Sequence, residues 1–171
     1  MTGPCFVDAN VLVYTLDPRD PAKQRRAAAW RDHLWQTGLG RTSVQVLSET
    51  YATMRRLRRD VPAEALWDAI ALYFTWNPRS IDENLLNRAR EVEQRHRISW
   101  WDSMIVAAAQ LQDCALLLTE DLQDNGVYGS VTVRSPFTLE VREAAGAYAV
   151  QPRAPSPHRP RGRPKKTLVP A

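Results

Sequence analysis

Four acidic residues stand where a carboxylate interrupts or borders an apolar segment of the chain. They are Asp8 in "FVDANVLVY", Glu49 in "TSVQVLSETY", Asp102 in "ISWWDSMIVAAA" and Asp121 in "LLTEDLQDNG". Two carboxylates about 4 Å apart repel by roughly 4 kcal/mol at an effective dielectric constant of about 20, and they raise one another's pKa values. One or two divalent cations remove that repulsion, and ligands that are all oxygen favour Mg²⁺ or Mn²⁺ over Zn²⁺. The chemistry therefore depends on whether the fold brings these acids together.

Short apolar runs separated by helical patterns predict the elements that would position the acids. "CFVD" and "CALLLT" have the continuous apolar character of strands buried on both faces of a parallel sheet. "RTSV" and "SVTV" are weaker strand candidates. Helical periodicity is predicted for "SVQVLSETYATMRRL", where Val44 begins the apolar stripe, for "WWDSMIVAAAQLQ", where Trp101 does, and for residues 21–36, 62–74, 82–96 and 138–147. Strands alternating with helices predict an α/β fold with a mainly parallel sheet.

The predicted elements give the four acids a common location. In an open α/β sheet, ligands bind at the carboxyl ends of the strands, where the strand order reverses. Asp8 ends the first predicted strand and Asp121 ends a later one. Glu49 and Asp102 lie on helices, beside the apolar stripe of each. We therefore predict that all four face one cleft.

Each acid also has a purely structural interpretation. Asp8 is a good N-cap for the helix that follows it, and Ser99 with Asp102 matches the capping-box pattern. Glu49 could be an ordinary solvated helix acid, and Asp121 a turn former. These interpretations explain the acids one at a time, whereas a shared cleft explains all four together.

Charge divides the chain into an acidic body and a basic tail. The protein has 171 residues, enough for one domain, and a formal net charge of +4. Residues 151–171 hold six Lys or Arg and no acid, which leaves 17 basic against 19 acidic residues, a net charge of −2, in positions 1–150. We predict a folded domain over residues 1–147 and a disordered, proline-rich tail over 148–171, because the tail has too few apolar residues to build a core.

The remaining composition excludes several classes of protein. No P-loop, G-x-G-x-x-G or G-x-S-x-G motif occurs. Cys5 and Cys114 lie in apolar runs without metal-ligand spacing, which favours two reduced thiols in the core. No segment has the length and apolar character of a membrane span or a signal peptide, so a cytoplasmic location without membrane association is expected.

The four acidic motifs, taken in order and spacing, resemble the PIN-domain ribonucleases, and within them the VapC-like toxins of toxin–antitoxin pairs. The resemblance implies a PIN-like three-layer α/β/α fold, a homodimer, a small antitoxin partner, and Mg²⁺- or Mn²⁺-dependent endoribonuclease activity on an RNA substrate. It places the catalytic acids and their supporting polar residues on Asp8, Glu49, Asp102 and Asp121, and on Asn10, Ser43, Thr119 and, as a further acid, Asp124.

Roles within that site follow from the same resemblance. Asp8, Asp102 and Asp121 are the implied metal ligands, and Asp121 with Glu49 would complete the site or position the attacking water. Such a cluster can activate water for in-line attack on a phosphodiester while the metal stabilises the leaving oxygen. The Thr119 hydroxyl would support the ligands by hydrogen bonding.

The tail carries a second resemblance. "RPRGRPKK" resembles the AT-hook, and the core of that motif falls on Arg161, Gly162, Arg163 and Pro164. The resemblance implies binding of A·T-rich DNA, where a narrow minor groove attracts arginine. A generic basic tail that binds any polyanion explains the same composition. An alternative function is therefore a nucleic-acid-binding regulator that uses the tail, with the PIN-like body as a dimerisation or partner-binding module.

Overall fold

A computed structural model describes residues 3–141 of the chain. Within these residues the helices are α1 (Ala9–Leu16), α2 (Pro21–Thr37), α3 (Val44–Leu57), α4 (Ala63–Ala71), which continues into a 3-10 helix (Leu72–Trp76), α5 (Glu83–His96) and α6 (Trp100–Leu111). The strands are β1 (Cys5–Val7), β2 (Gly40–Arg41), β3 (Leu116–Leu118), β4 (Val127–Tyr128) and β5 (Val131–Arg134).

The strands form one mainly parallel sheet, which confirms the predicted fold class. Their order is β2-β1-β3-β5-β4, and β4 pairs with β5 as the antiparallel exception. The chain crosses from β1 to β2 in one direction along the sheet and from β2 to β3 in the other. Because such crossovers are right-handed, the two connections lie on opposite faces of the sheet. The strand order therefore reverses at β1, which is where a ligand-binding crevice is expected.

The two central strands bring distant segments to one edge of the sheet. Every residue of β1 and β3 is buried, as the continuous apolar runs predict. The parallel register pairs Val7 with Leu118, and the N–H of Asp8 donates to the Leu118 carbonyl at 3.1 Å. Asp8 and Thr119 consequently emerge side by side at the carboxyl ends of neighbouring strands.

Polar residues cap most of the helices at their amino ends. The carboxylates of Asp20 and Asp82 accept backbone N–H groups in the first turns of α2 and α5. The hydroxyls of Ser43 and Ser99 do the same for α3 and α6. These caps satisfy donors that a helix start would otherwise leave unpaired. Pro62 precedes α4 as its N-cap residue, and not at the first helical position that the sequence suggested.

Several sequence-based predictions are wrong in detail. Val44, the first residue of α3, and Trp101, the second of α6, were assigned to apolar stripes, yet 41% and 63% of their surfaces are exposed. The buried face of α3 is formed by Val46, Leu47, Thr50 and Met54, together with a buried glutamine. Residues 138–140 are not helical but Val141 is, and residues 142–147 of the predicted helix lie outside the described residues. Strand β4 was not predicted, because two half-buried residues leave no periodic pattern.

Other features of the core follow the sequence. Cys5 and Cys114 are both free and buried, which confirms the prediction of two core thiols. Burial raises the pKa of each thiol. Gly40 lets strand β2 pass directly beneath the indole of Trp76, where a Cβ would overlap the ring. None of the helices in residues 3–141 combines the length and apolar character needed to cross a bilayer.

Candidate active site

Asp8 is a buried carboxylate whose two oxygens are each occupied by a donor. It is 7% exposed and caps α1, where its Oδ1 accepts the N–H of Ala9 at 2.6 Å. Its Oδ2 accepts the hydroxyl of Thr119 at 2.7 Å, and Thr119 itself is 1% exposed. The N-cap interpretation is therefore correct. It does not exclude the site interpretation, because the second oxygen is held by a residue 111 positions away.

Thr119 and Asn10 link Asp8 to Asp121. The Nδ2 of Asn10 donates to the Oγ1 of Thr119 and to the Oδ2 of Asp121, both at 3.0 Å. The backbone N–H of Asp121 also donates to the Thr119 hydroxyl, at 3.1 Å. The Thr119 hydroxyl thus accepts two hydrogen bonds and donates one to Asp8. The resulting network orders four polar residues at the carboxyl edge of β1 and β3.

Glu49 faces the same network from α3. Its Oε1 accepts the side-chain amide of the buried Gln45 at 2.9 Å, which fixes its direction. Glu49 lines a groove of about 430 Å³ together with Asn10 and Asp121. The sequence correctly placed Glu49 off the buried face of its helix, since the residue is exposed.

The electrostatics of Asp8 report the convergence of three acids. The pKa of Asp8 is raised to about 6, mainly by burial and to a smaller extent by the charges of Asp121 and Glu49. The hydrogen bonds from Thr119 and Ala9 act in the opposite direction by stabilising the carboxylate. A buried acid that titrates near neutral pH is characteristic of functional sites.

Asp102 lies at the same edge of the sheet without joining the network. It is in the first turn of α6, and because α6 leads into the amino end of β3, its first turn lies at the sheet's carboxyl edge. The hydroxyl of Ser99 accepts the Asp102 N–H at 3.1 Å and donates to the Asp102 carboxylate at 2.7 Å. No hydrogen bond joins Asp102 to the other three acids in the described part of the chain. Its charge contributes, after burial, to the raised pKa of Tyr128.

Two of the predicted supporting residues have structural roles. The hydroxyl of Ser43 caps α3 by accepting the N–H of Val46 at 3.2 Å, and so holds the helix that carries Glu49. The Oδ1 of Asp124 accepts the N–H of Ser135 at 2.8 Å and the Nε of Arg134 at 3.0 Å. These bonds tie the loop after Asp121 to the end of β5.

A lysine that the sequence did not single out fixes the turn carrying Asp121. The Nζ of Lys23 donates to both carboxylate oxygens of Glu120, at 2.7 and 2.9 Å, and to the hydroxyl of Tyr14 at 3.0 Å. It lies over the rings of Tyr14 and Phe137, 4.5 and 4.8 Å from their centroids. The bonds to Glu120 and Tyr14 raise the pKa of Lys23. No local sequence pattern predicts this contact, because the two residues are 97 positions apart.

The side-chain oxygens at this edge of the sheet are chemically suited to bind a hard divalent cation. Such cations prefer oxygen ligands, and the Oδ1 of Asn10 is buried without a hydrogen-bond partner among residues 3–141. As the side chains stand, no three or more His, Cys, Asp or Glu residues of that part of the chain are arranged to hold a metal ion. Asp8 and Asp121 are the two acids already held together, through Thr119 and Asn10.

Sequence comparison identifies the family. A family model described as "PIN domain" matches residues 5–123. The chain belongs to the PIN domain family. Its four predicted acids, from Asp8 to Asp121, all lie within the matched residues of the PIN domain, whereas Asp124 lies just beyond them. None of the curated proteins compared with the chain matches it in sequence.

Solved structures with the same fold support this assignment of a PIN domain. A toxin–antitoxin complex from Klebsiella pneumoniae is 19% identical with a TM-score of 0.57, and the match covers 80% of this chain and 99% of that one. VapC20 of Mycobacterium tuberculosis, described as a toxin that cleaves the sarcin–ricin loop, is 22% identical with a TM-score of 0.52. That match covers 68% of this chain and 91% of the toxin. At these identities the likeness establishes a shared fold.

Proposed function

We propose that this PIN domain protein is a divalent-metal-dependent endoribonuclease, the toxin of a type II toxin–antitoxin pair. The observation that carries the proposal is the network of Asp8, Thr119, Asn10 and Asp121, which lies with Glu49 at the switch point of the sheet. A stabilising cap alone would not require a second acid held 3.0 Å from Asn10, nor a third on a separate helix.

Asp8 and Asp121 would hold the cation, with Asp102 recruited from the first turn of α6. A bound Mg²⁺ or Mn²⁺ would supply a more acidic water and stabilise the charge that develops on the leaving oxygen. The protein's own contribution is positional. Thr119 and Asn10 keep two carboxylates close together despite their repulsion. The raised pKa of Asp8 reflects that repulsion only in part, because burial contributes more.

Glu49 is the acid best placed to orient the attacking water. It is exposed, it is directed by the Gln45 amide, and it lines the groove opposite Asn10. These features leave its second oxygen free to accept a proton from solvent or from a bound water. The Lys23–Glu120 contact would keep the Thr119–Asp121 turn from moving when substrate enters.

The proposal is tested by RNA cleavage with the full chain. Cutting should require Mg²⁺ or Mn²⁺ and stop in excess chelator. Asp8→Asn, Asp121→Asn and Asp102→Asn should each abolish it. Asp68→Asn is the matched control, because Asp68 is exposed on α4 and forms no hydrogen bond or ion pair within residues 3–141. Full activity in chelator would refute the metal mechanism. Wild-type activity of Asp102→Asn would leave Asp102 only as a partner of the Ser99 cap.

The partners are part of the same proposal. A homodimer acting in the cytoplasm, inhibited by a small antitoxin encoded beside it, would account for a chain of this fold. An antitoxin segment with arginine would complement the acids, since arginine pairs bidentately with carboxylates. Expression of the chain alone should arrest growth, and co-expression of the neighbouring small gene should restore it. Harmless expression of an active, folded chain would contradict the toxin role.

The alternative function rests on the tail. Residues 148–171, including Arg161 to Pro164, lie outside the described residues, so the regulator hypothesis depends on the "RGRP" sequence alone. One experiment in cells, the substitution Asp8→Asn, distinguishes the two functions. A regulator that binds through its tail should keep its activity in the cell when Asp8 is changed to Asn, whereas the nuclease should lose it.

A further inference from the structure

A groove between α1 and α3 leads away from the acidic network. The two helices pack against each other, and the groove between them has a volume of about 430 Å³. Its walls are largely apolar, and the acids Glu49 and Asp121 stand among its lining residues. The lining residues are Ala9, Asn10, Val13 and Tyr14 of α1, Glu49, Ala52 and Thr53 of α3, and Asp121.

The direction of the groove follows from contacts at both ends. Asn10 and Asp121 are joined at the start of α1. At the other end, the Nη1 of Arg58 donates to the carbonyl of Leu16 at 3.4 Å, which brings the carboxyl ends of α1 and α3 together. The groove therefore runs along both helices, from the acids towards the last turn of α3.

That last turn carries a cation on the groove side. Arg56 follows Thr53 by three residues and Ala52 by four, and residues at these spacings are neighbours on one helix face. Seven residues separate it from Glu49, a rise of about 10 Å along the axis. The arginine side chain can thus reach a group lying in the groove one or two nucleotides away from the acids.

The arginines at this end have no protein partner to neutralise them. Arg55, Arg56 and Arg59 are exposed, and none forms a hydrogen bond or ion pair within residues 3–141. Their neighbour Arg58 differs, since it is paired with Asp60 at 2.8 Å. The groove consequently has carboxylates at one end, an apolar middle, and unpaired guanidinium groups at the other end.

We propose that this groove holds the RNA strand next to the cleaved bond, with a following phosphate on Arg56 and a base or sugar against Val13 and Ala52. The inference rests on the proposed ribonuclease function. Charge decides between RNA and a protein segment. A protein segment whose arginine paired with the acids would need acidic residues further along to match the three arginines, whereas an RNA strand carries a phosphate at every nucleotide. A polyanion is attracted by those arginines, and the cation at the acids offsets the remaining repulsion.

Two substitutions test the groove, each with a matched control. Ala52→Leu fills it from an exposed position, and Ala29→Leu makes the same change in a separate groove beside Trp30. Arg56→Gln removes the proposed phosphate contact. Arg95→Gln is its control, because Arg56 and Arg95 are both the penultimate residue of a 14-residue helix and both exposed. Arg56→Gln and Arg95→Gln therefore share the loss of a favourable charge at a helix end.

Binding is measured with a fluorescein-labelled single-stranded RNA decamer of uridine, using the full chain. All proteins in this assay also carry Asp121→Asn, so that the RNA stays intact, and the basic tail contributes equally to each. Ala52→Leu and Arg56→Gln should each weaken binding at least fivefold relative to their controls. Arg56→Gln should also lower the slope of log affinity against log salt by about 0.7, as expected for one phosphate contact with a single strand.

Cleavage with Asp121 intact gives an independent readout. The groove substitutions should raise KM at least fivefold and leave kcat within twofold, whereas both controls should cut like the unchanged protein. If all four variants bind and cut alike, the groove proposal is wrong and the nuclease function stands. If the unchanged protein cuts no RNA in Mg²⁺ or Mn²⁺, the nuclease function itself fails. Loss of antitoxin co-purification without loss of RNA binding would identify the groove as a protein surface and overturn the proposal.

Discussion

Replacing Asp8 with asparagine should make the metal-free protein more stable at neutral pH. The folded state holds the pKa of Asp8 at about 6, chiefly through burial, against an ordinary value of 3.8. Keeping the carboxylate ionised at pH 7 therefore costs the folded state about 3 kcal/mol relative to an exposed aspartate. Asparagine removes this cost and remains a good N-cap, so the bond to the Ala9 N–H can be kept.

The loss of one hydrogen bond partly offsets the gain in stability of Asp8→Asn. Thr119 already accepts from Asn10 and from the Asp121 N–H, so an amide at position 8 would present a third donor to the same oxygen. The loss of that bond costs about 1 kcal/mol. The net gain for Asp8→Asn at pH 7 is thus about 2 kcal/mol in the free energy of unfolding.

The stability difference between Asp8→Asn and the unchanged protein depends on pH. Between about pH 4 and pH 6 the folded protein binds more protons at Asp8 than the unfolded chain does. The contribution of Asp8 to the stability of the unchanged protein is therefore fully present below pH 4 and is lost as pH rises through 6. Asp8→Asn lacks that decline, so the variant should be slightly less stable below pH 4 and more stable above pH 6.

Urea unfolding in excess chelator, at intervals from pH 4 to pH 7.5, measures this difference. Asp124→Asn provides a control of opposite sign. Burial acts to raise the pKa of Asp124, but hydrogen bonds from Ser135 and Arg134 outweigh it and lower the pKa overall. Asp124→Asn should therefore be destabilising across this whole pH range, because the stability from an acid with a lowered pKa is lost only below about pH 4. A fall in stability for Asp8→Asn at pH 7 would refute the burial argument and show that the carboxylate is required as a cap.

Further predictions concern the network, the sheet and the tail. Thr119→Val keeps the shape but removes the donor to Asp8 and the acceptor of Asn10, so RNA cleavage should fall by about 10- to 100-fold while circular dichroism shows a folded protein. Gly40→Ala should lower the free energy of unfolding by about 1 to 3 kcal/mol in a urea titration, because the added Cβ overlaps Trp76. A peptide of residues 152–171 should prefer A·T-rich over G·C-rich duplex by about 1 to 3 kcal/mol in fluorescence anisotropy, and Arg163→Lys should lose most of that preference. Equal affinity for both duplexes would leave the tail as a general polyanion anchor.

Local patterns in the sequence determined the parts of the fold that depend on near neighbours. The continuous apolar runs of β1 and β3 predicted buried parallel strands, because a strand covered on both faces has no polar side to alternate with. The cap at Ser99 was recognisable for a similar reason. Its hydroxyl reaches a backbone N–H only three residues away, within one turn of helix. The order of the four acidic motifs was likewise sufficient to indicate the PIN family.

Only the tertiary structure decided which of these residues meet. The bond from Thr119 to Asp8 spans 111 positions and exists because parallel pairing of β1 with β3 brings their carboxyl ends together. The bond from Lys23 to Glu120 spans 97 positions and also requires α2 to pack against α1, where Lys23 contacts Tyr14. Asp102 shows the converse, since its carboxylate turns to Ser99 beside it and not to the other acids. The spacing of residues in the sequence gives the angular position of each side chain around its helix axis. The direction in which that face points depends on how the helix packs, and packing is a property of the whole fold.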